Sequence, residues 1–548
     1  MMISLSHLLW LALVTFILQF VARILSNRQR KRGAKVPPGP KDIKCQFTYW
    51  IVAFGFNNWL TSAKGWPFLG SAPALAAVDT NGIIGIFKKW AEQYGSITQF
   101  SAMGDKQVIL TEEKDARELF VRRGTKYSDR GAPHAVEYIS MRQNPGFRPK
   151  DDGWRRQRSM IQSAINITSI NKYQSLMDDE ATFTLNALLQ SPDSFHGEFL
   201  RYSYSVLTTS LLGFSIRSPS DHHFIHHNET FTAELMNSFR PDCFPSNVFP
   251  VLRKMPMWLM PSLRTMERLR KEYVGEMWAF RRKIEKLVKD GSATDCIYKH
   301  FLLHRDQYSV TDEESVHTFQ AMIDGGTRSP HNNLLTFLFL MMEFPEWQKK
   351  LQEEVDKVVG KDRMPTYKDI PNLPTVRAIV KETVRYRSIV AEMGIGHCLQ
   401  ADDIYKGYFF EKGTIFNALF TSILMDKDIY PDGELFNPAR WLEPSYPTYK
   451  EPLTTYPNCQ GFAAFGYGRR ACPGVDFAER TLVIMFAKLG WTLNIGWPTD
   501  ENGNERREKL QYEPVPAPRP LKFGCKLEAR DADRAKIVEE TARQLNLR

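Results

Sequence analysis

Residues 465–474 read Phe465-Gly466-Tyr467-Gly468-Arg469-Arg470-Ala471-Cys472-Pro473-Gly474, and this stretch governs how the rest of the chain is read. A cysteine in a glycine-rich loop, with arginines before it and Pro-Gly after it, is accessible. Cationic and N–H groups beside it push its thiol toward thiolate. Such a thiolate is suited to be the axial ligand of an iron. The bland alternative, a buried inert cysteine, accounts for neither the glycines nor the arginines. Cys472 and the other six cysteines (Cys45, Cys243, Cys296, Cys398, Cys459, Cys525) contain no CxxC pair and no zinc spacing. That pattern argues against a disulfide framework or structural zinc and agrees with a reducing compartment.

Working outward, Glu382-Thr383-Val384-Arg385 sets an acid and a base three residues apart, on one face of a helix. Alone, that spacing marks a solvated helix surface. Phe436-Asn437-Pro438-Ala439-Arg440-Trp441 follows it, and Trp154-Arg155-Arg156-Gln157-Arg158 lies far upstream. In this order, ahead of the cysteine loop, these segments resemble the cytochrome P450 superfamily, whose haem-binding loop is matched by Phe465, Gly468, Arg470, Cys472 and Gly474. The resemblance covers roughly residues 66–525. It implies a mainly α fold with small β-sheets, and one large domain holding haem b through the Cys472 sulfur. It further implies that Glu382, Arg385 and Arg440 form a structural triad behind the loop, and that Trp154 and Arg158 donate to a haem propionate. Phe465 and Arg470 belong to the same cofactor loop. His397 sits where relatives place another propionate donor, although a satisfied core histidine fits the position nearly as well.

The resemblance departs at Gly325-Gly326-Thr327-Arg328-Ser329-Pro330. Relatives carry an acid and an alcohol there that guide protons during oxygen activation; here Arg328 replaces the acid and Ser329 the alcohol. Ser329 can still donate and accept. Arg328 cannot shuttle a proton, because guanidinium stays charged at any accessible pH, and Pro330 predicts a kink. Two substitute donors are Asp324, one turn before Arg328 and within reach of an i,i+4 pair with it, and Glu392, which follows the Glu382 helix. Each could instead be an ordinary exposed acid, and Glu392 could also meet a polar substrate group.

Composition frames these motifs. The chain has 548 residues, 43% of them hydrophobic, and a formal charge of +10, which excludes a disordered or collagenous chain and leaves a nucleic-acid binder or a membrane protein open. Six of the ten excess charges sit at or just after the end of an apolar run from Ile3 to Leu25: Arg23 within it, then Arg28, Arg30, Lys31, Arg32 and Lys35. As a helix that run reaches about 34 Å, enough to cross a bilayer. The flanking charge keeps the body cytosolic. The expected organisation is a single-pass anchor (1–26) in the endoplasmic-reticulum membrane and a basic, proline-rich hinge (27–70), followed by the catalytic domain (71–527) and a charged tail (528–548). Residues 42–64, rich in Phe, Trp and Tyr, interrupt the hinge and read either as a translated intron or as an interfacial membrane segment. No nucleic-acid motif follows.

Helical periodicity covers Ile83–Tyr94, Glu112–Arg123, Trp154–Ser163, Asn171–Leu189, Met260–Asp290, Asp312–Phe344, Trp347–Val359 and Val376–Arg387. Strand-like runs are few: Ser96–Ser101, Gln107–Thr111 and Tyr408–Phe410. The proline-rich, apolar stretch Phe244–Leu263 is either a buried loop or a segment that dips into a bilayer surface. With no dinucleotide fingerprint or flavin domain, the NADPH electrons that the resemblance implies must come through a partner, a cytochrome reductase with or without cytochrome b5. The resemblance thus points to a monooxygenase that inserts one atom of O2 into an apolar small molecule of secondary metabolism. The altered distal helix leaves two alternatives: a haem enzyme of radical coupling, ring closure or rearrangement, and an inactive haem-binding paralogue.

Overall fold

The computed structural model describes residues 37–39, 80–102, 105–218, 223–240, 243–247, 249–388, 395–512 and 519–546. The anchor assigned to 1–26, the insert at 42–64 and Glu392 lie outside the described residues. Among those described, no helix is long and apolar enough to cross a membrane.

The structure is mainly helical. The helices that carry the site are α1 (Asp152–Ala164), α2 (Gln174–Gln190), α3 (Phe195–Leu212), α4 (His223–Asn237), α5 (Asp312–Glu343), α6 (Pro345–Val359), α7 (Pro374–Tyr386), α8 (Val475–Thr492) and α9 (Ala532–Asn546). The 32-residue α5 is the axis of the fold. It starts at a capping box: Thr311 Oγ1 accepts from the Glu314 N–H, and the Glu314 carboxylate accepts from the Thr311 N–H, both at 3.1 Å. α5 packs along α3 and touches α6, α7 and α8. Gly326 permits the close approach to α3, because a Cβ there would stand 3.0 Å from Leu207 Cδ2. α3 and α8 are buried almost all round, so neither carries the amphipathic stripe on which periodicity depends.

The sheets are small. Strands β1 (Ile97–Ala102), β2 (Asp105–Leu110), β3 (Asp129–Arg130), β4 (His397–Cys398), β5 (Asp403–Tyr405), β6 (Tyr408–Phe410), β7 (Ile415–Ala418), β8 (Leu493–Gly496) and β9 (Lys526–Ala529) form one five-stranded sheet and two hairpin-like pairs. The large sheet has the order β1-β2-β7-β4-β3, with β2 and β7 parallel and the other pairs antiparallel. Its register sets Arg130 opposite His397.

Two sequence expectations change, and an open alternative at 244–263 narrows. The single helix expected over 260–290 is two, Pro261–Glu272 and Gly275–Lys289. They break where Tyr273 turns inward to hydrogen-bond and Gly275 follows. Residues 528–546, expected as a charged tail, are the end of β9 and then α9, which packs on α2. Arg530 and Arg534 both bind Asp356 on α6, at 2.7 Å. The loop after α4 is not buried throughout: Trp258 is 74% exposed, with Phe249, Met257 and Leu259 also open.

Candidate active site

A fully buried triad lies behind the cysteine loop, and Trp441 beside it packs edge-on against Phe462, three residues before the loop. Glu382 and Arg385 lie one turn apart on α7, and Arg385 reaches both carboxylate oxygens, Nε to Oε2 at 2.9 Å and Nη2 to Oε1 at 2.8 Å. Arg440 Nε donates to Oε1 at 3.0 Å. Two further donors complete the set: Trp441 Nε1 to Oε2 and the Asn437 N–H to Oε1, each at 3.0 Å. Glu382, Arg385 and Arg440 are essentially without solvent. The sequence names the three charged groups; Trp441 and Asn437 emerge only from the fold.

The cysteine loop is shaped by glycine. Gly466 and Gly468 both have positive φ (80° and 59°), and a side chain at Gly468 would collide with the Phe120 carbonyl. The loop closes through the Cys472 N–H to the Phe465 carbonyl, 2.8 Å. Phe465 thus acts through its backbone, while its ring packs on the core. Cys472 is surrounded by protein closely enough that burial raises its thiol, against the Gly474 N–H and the charge of Arg158, yet it keeps an exposed surface. Its sulfur is thus open to a ligand while protein crowds round it. The expected pull toward thiolate is present but loses to desolvation in the protein alone.

Around Cys472 the arginines gather. Arg158 Nη2 donates to the Ala471 carbonyl at 2.5 Å. Arg470 spends its donors on the carbonyls of Ser128, Pro145 and Arg148 (2.8, 3.2 and 2.9 Å), and its guanidinium lies 4.1 Å from the Trp154 ring centroid. Trp154 is held at the start of α1 by its own N–H to the capping carboxylate of Asp151, 2.7 Å. Arg130, which the sequence gives no reason to single out, joins them through the β3–β4 pairing and donates to the Gly396 carbonyl at 3.0 Å. His397 Nδ1 meets the Tyr127 carbonyl at 2.7 Å and its ring stacks on Phe120 at 3.9 Å. Burial holds His397 neutral, well below the usual histidine range, so Nδ1–H is the donor and Nε2 is left with a lone pair.

A family model described as Cytochrome P450 matches residues 61–493. The chain belongs to the cytochrome P450 family. It is 92% identical over 491 residues to Cytochrome P450 monooxygenase psoD of Aspergillus fumigatus, covering 90% of this chain and 95% of that one. It is 29% identical over 509 residues to Cytochrome P450 monooxygenase verL of Clonostachys rogersoniana (92% and 93%). A solved zebra fish cytochrome P450 with abiraterone shares the fold at a TM-score of 0.65 and 19% identity, covering 81% of this chain and 99% of that chain.

As a cytochrome P450 monooxygenase the protein uses haem-thiolate iron, and the residues present fit that group. Arg158 and Arg470 both bear on Arg130, and Arg158 bears on Arg470. Burial and the neighbouring guanidiniums bring Arg130 down to about 9; burial first, then Arg158, brings Arg470 down to about 10. Buried Nε atoms of Arg130 and Arg158 have no partner in the protein. Half-buried positive charge with unused donors suits an anion, and the propionates of haem b would supply one. Cys472 would take the iron, and a coordinated cation overcomes the burial that keeps its thiol protonated.

In this P450, α5 continues through Pro330 as one helix. Ser329 Oγ lies 3.4 Å from the Gly325 carbonyl, and the Ser329 carbonyl accepts from Asn333 Nδ2 at 2.9 Å. The i,i+4 pair of Asp324 with Arg328 is not made. Arg328 turns to Glu229 of α4 (Nη2 to Oε2, 3.1 Å), which also accepts from Arg519 at 2.6 Å and from Tyr204 at 2.9 Å. Asp324 is not an ordinary exposed acid: Gln320 Nε2 donates to it at 2.7 Å and Tyr273 Oη at 3.4 Å. Burial pushes its carboxyl up to about 7.

Proposed function

We propose that this P450 inserts one atom of O2 into an apolar small molecule of secondary metabolism, at the endoplasmic-reticulum membrane, with NADPH electrons delivered by a reductase. The observation that carries the reading is the Cys472 loop backed by the Glu382 triad and faced by three half-buried arginines. Residue by residue, Glu382, Arg385, Arg440, Trp441 and Asn437 fix the segment behind the loop, while Gly466 and Gly468 turn it. Arg130, Arg158, Arg470 and Trp154 orient the cofactor's carboxylates. Haem, when bound, supplies oxygen chemistry assisted by electron donation from sulfur. The 92% identity with the psoD protein supports a shared substrate. Exposed Trp258, Phe249, Met257 and Leu259 support membrane contact of the catalytic domain beyond the anchor.

A reduced carbon monoxide difference spectrum tests the ligand: a shifted Soret band is expected, and its loss in Cys472→Ser. Metabolite profiles with and without the gene identify the substrate. Arg328 in place of an acid favours a second reading, in which the product is closed or coupled without oxygen gain. Labelled dioxygen separates the two, since label in the product supports insertion and its absence supports closure.

A further inference from the structure

Along α5, Gln320, Asp324 and Arg328 follow one another at one residue per turn, and this polar stripe faces α4. Gln320 Nε2 stands 3.5 Å from Asn228 Oδ1 and Arg328 binds Glu229. Asp324 keeps part of its surface open although protein encloses it. The next residue, Gly325, is exposed, and a Cβ built on it meets nothing within 4 Å. Open space therefore borders α5 at Gly325, with Asp324 on one side and Ser329 one turn further on. We propose that Asp324 delivers protons into the space beside Gly325 during turnover, and that Glu229 is a positioning residue that keeps it able to do so by holding Arg328 away. The proposal rests on the monooxygenase reading above.

Few charged groups face Asp324. From its own helix come Gln320 and Arg328, from the turn between the helices at 261–272 and 275–289 comes Tyr273, itself contacted by Asn144 Nδ2, and from α4 come Asn228 and Glu229. His317, one turn before Gln320, is buried and held neutral, so it adds no charge. Arg328 is thus the cation that bears on Asp324. Were it to swing the one turn back, its charge would fix Asp324 as a carboxylate, which cannot donate. Glu229 prevents this, and Arg519 and Tyr204 hold Glu229 in place. In the step itself the O–H bond of the neutral Asp324 carboxyl breaks, the electron pair stays on the carboxylate, and the proton passes to a water. No electrons change hands, and solvent returns the proton.

The test uses the full-length, haem-loaded protein. Infrared difference spectra across pH follow the carbonyl stretch of a protonated carboxyl. A band titrating near neutrality is expected in the unaltered protein and is expected to vanish in Asp324→Asn. Its midpoint is expected to fall by about one pH unit in Glu229→Gln, which frees Arg328, and to rise in Arg328→Gln. A band that survives Asp324→Asn, or a midpoint indifferent to both other substitutions, overturns the proposal. In turnover, Asp324→Asn is expected to lower product per NADPH about 10-fold or more and to change the solvent isotope effect; unchanged coupling overturns the proton role. Failure of the monooxygenase reading looks different: the unaltered protein then shows no carbon monoxide shift and no substrate-dependent NADPH use, while the infrared arm still reads out.

Discussion

Glu382 accepts five hydrogen bonds at the centre of the fold, three of them from guanidinium nitrogens. Glu382→Ala leaves Arg385 and Arg440 buried and unpaired, so a loss of about 3–5 kcal/mol is expected in denaturant unfolding, together with loss of haem. Asp324 makes a prediction of opposite character. Its folded value of about 7 stands above the ordinary 3.8, so between these pH values the folded state binds the extra proton. Its stabilising contribution is therefore full below about pH 4 and is lost as pH rises through 7. Asp324→Asn should flatten that slope in melting curves taken from pH 4 to 8; a slope unchanged from the parent protein would show that Asp324 does not titrate there. Single residues were legible in the sequence where a local spacing fixes them, as with Glu382 and Arg385 on one helix face. Arg130 was not, because it reaches the site only through its pairing with His397 across β3 and β4.

At the scale of elements, α5 is held against α3 by the absence of a side chain at Gly326. Gly326→Leu would drive into Leu207 and part the two helices, and about 1–3 kcal/mol of destabilisation is expected in thermal or denaturant unfolding. Helices that face both core and solvent, such as α1, α6 and α7, were legible to within a few residues. Those buried all round, α3 and α8, were not, since an apolar residue at every position has no period. The break at Tyr273 was equally hidden, because its cause is a hydrogen bond to Asp324 on another helix. Pro330 signalled a kink; α5 runs through it as one helix, with Thr327 and Arg328 buried before the proline and His331 to Met342 buried after it.

At the scale of the molecule, α9 closes the fold. Truncation after residue 529 would remove Arg530 and Arg534 from Asp356 and strip Val538 and Ala542 from the core. The truncated protein is expected to unfold at lower temperature and retain less haem, measured by absorbance against protein concentration. Trp258→Ser with Phe249→Ser should instead leave haem content unchanged and weaken sedimentation with anionic lipid vesicles; equal sedimentation would count against membrane contact by this loop. The register between β3 and β4 also has a consequence in time. Arg130 leaves the ribosome 267 residues before its strand partner His397 and 342 before Cys472. At 5–20 residues per second, roughly 17–70 s pass before the sulfur follows the first arginine. Capture of the cofactor by sulfur and arginines together is thus a late event in the life of the nascent chain.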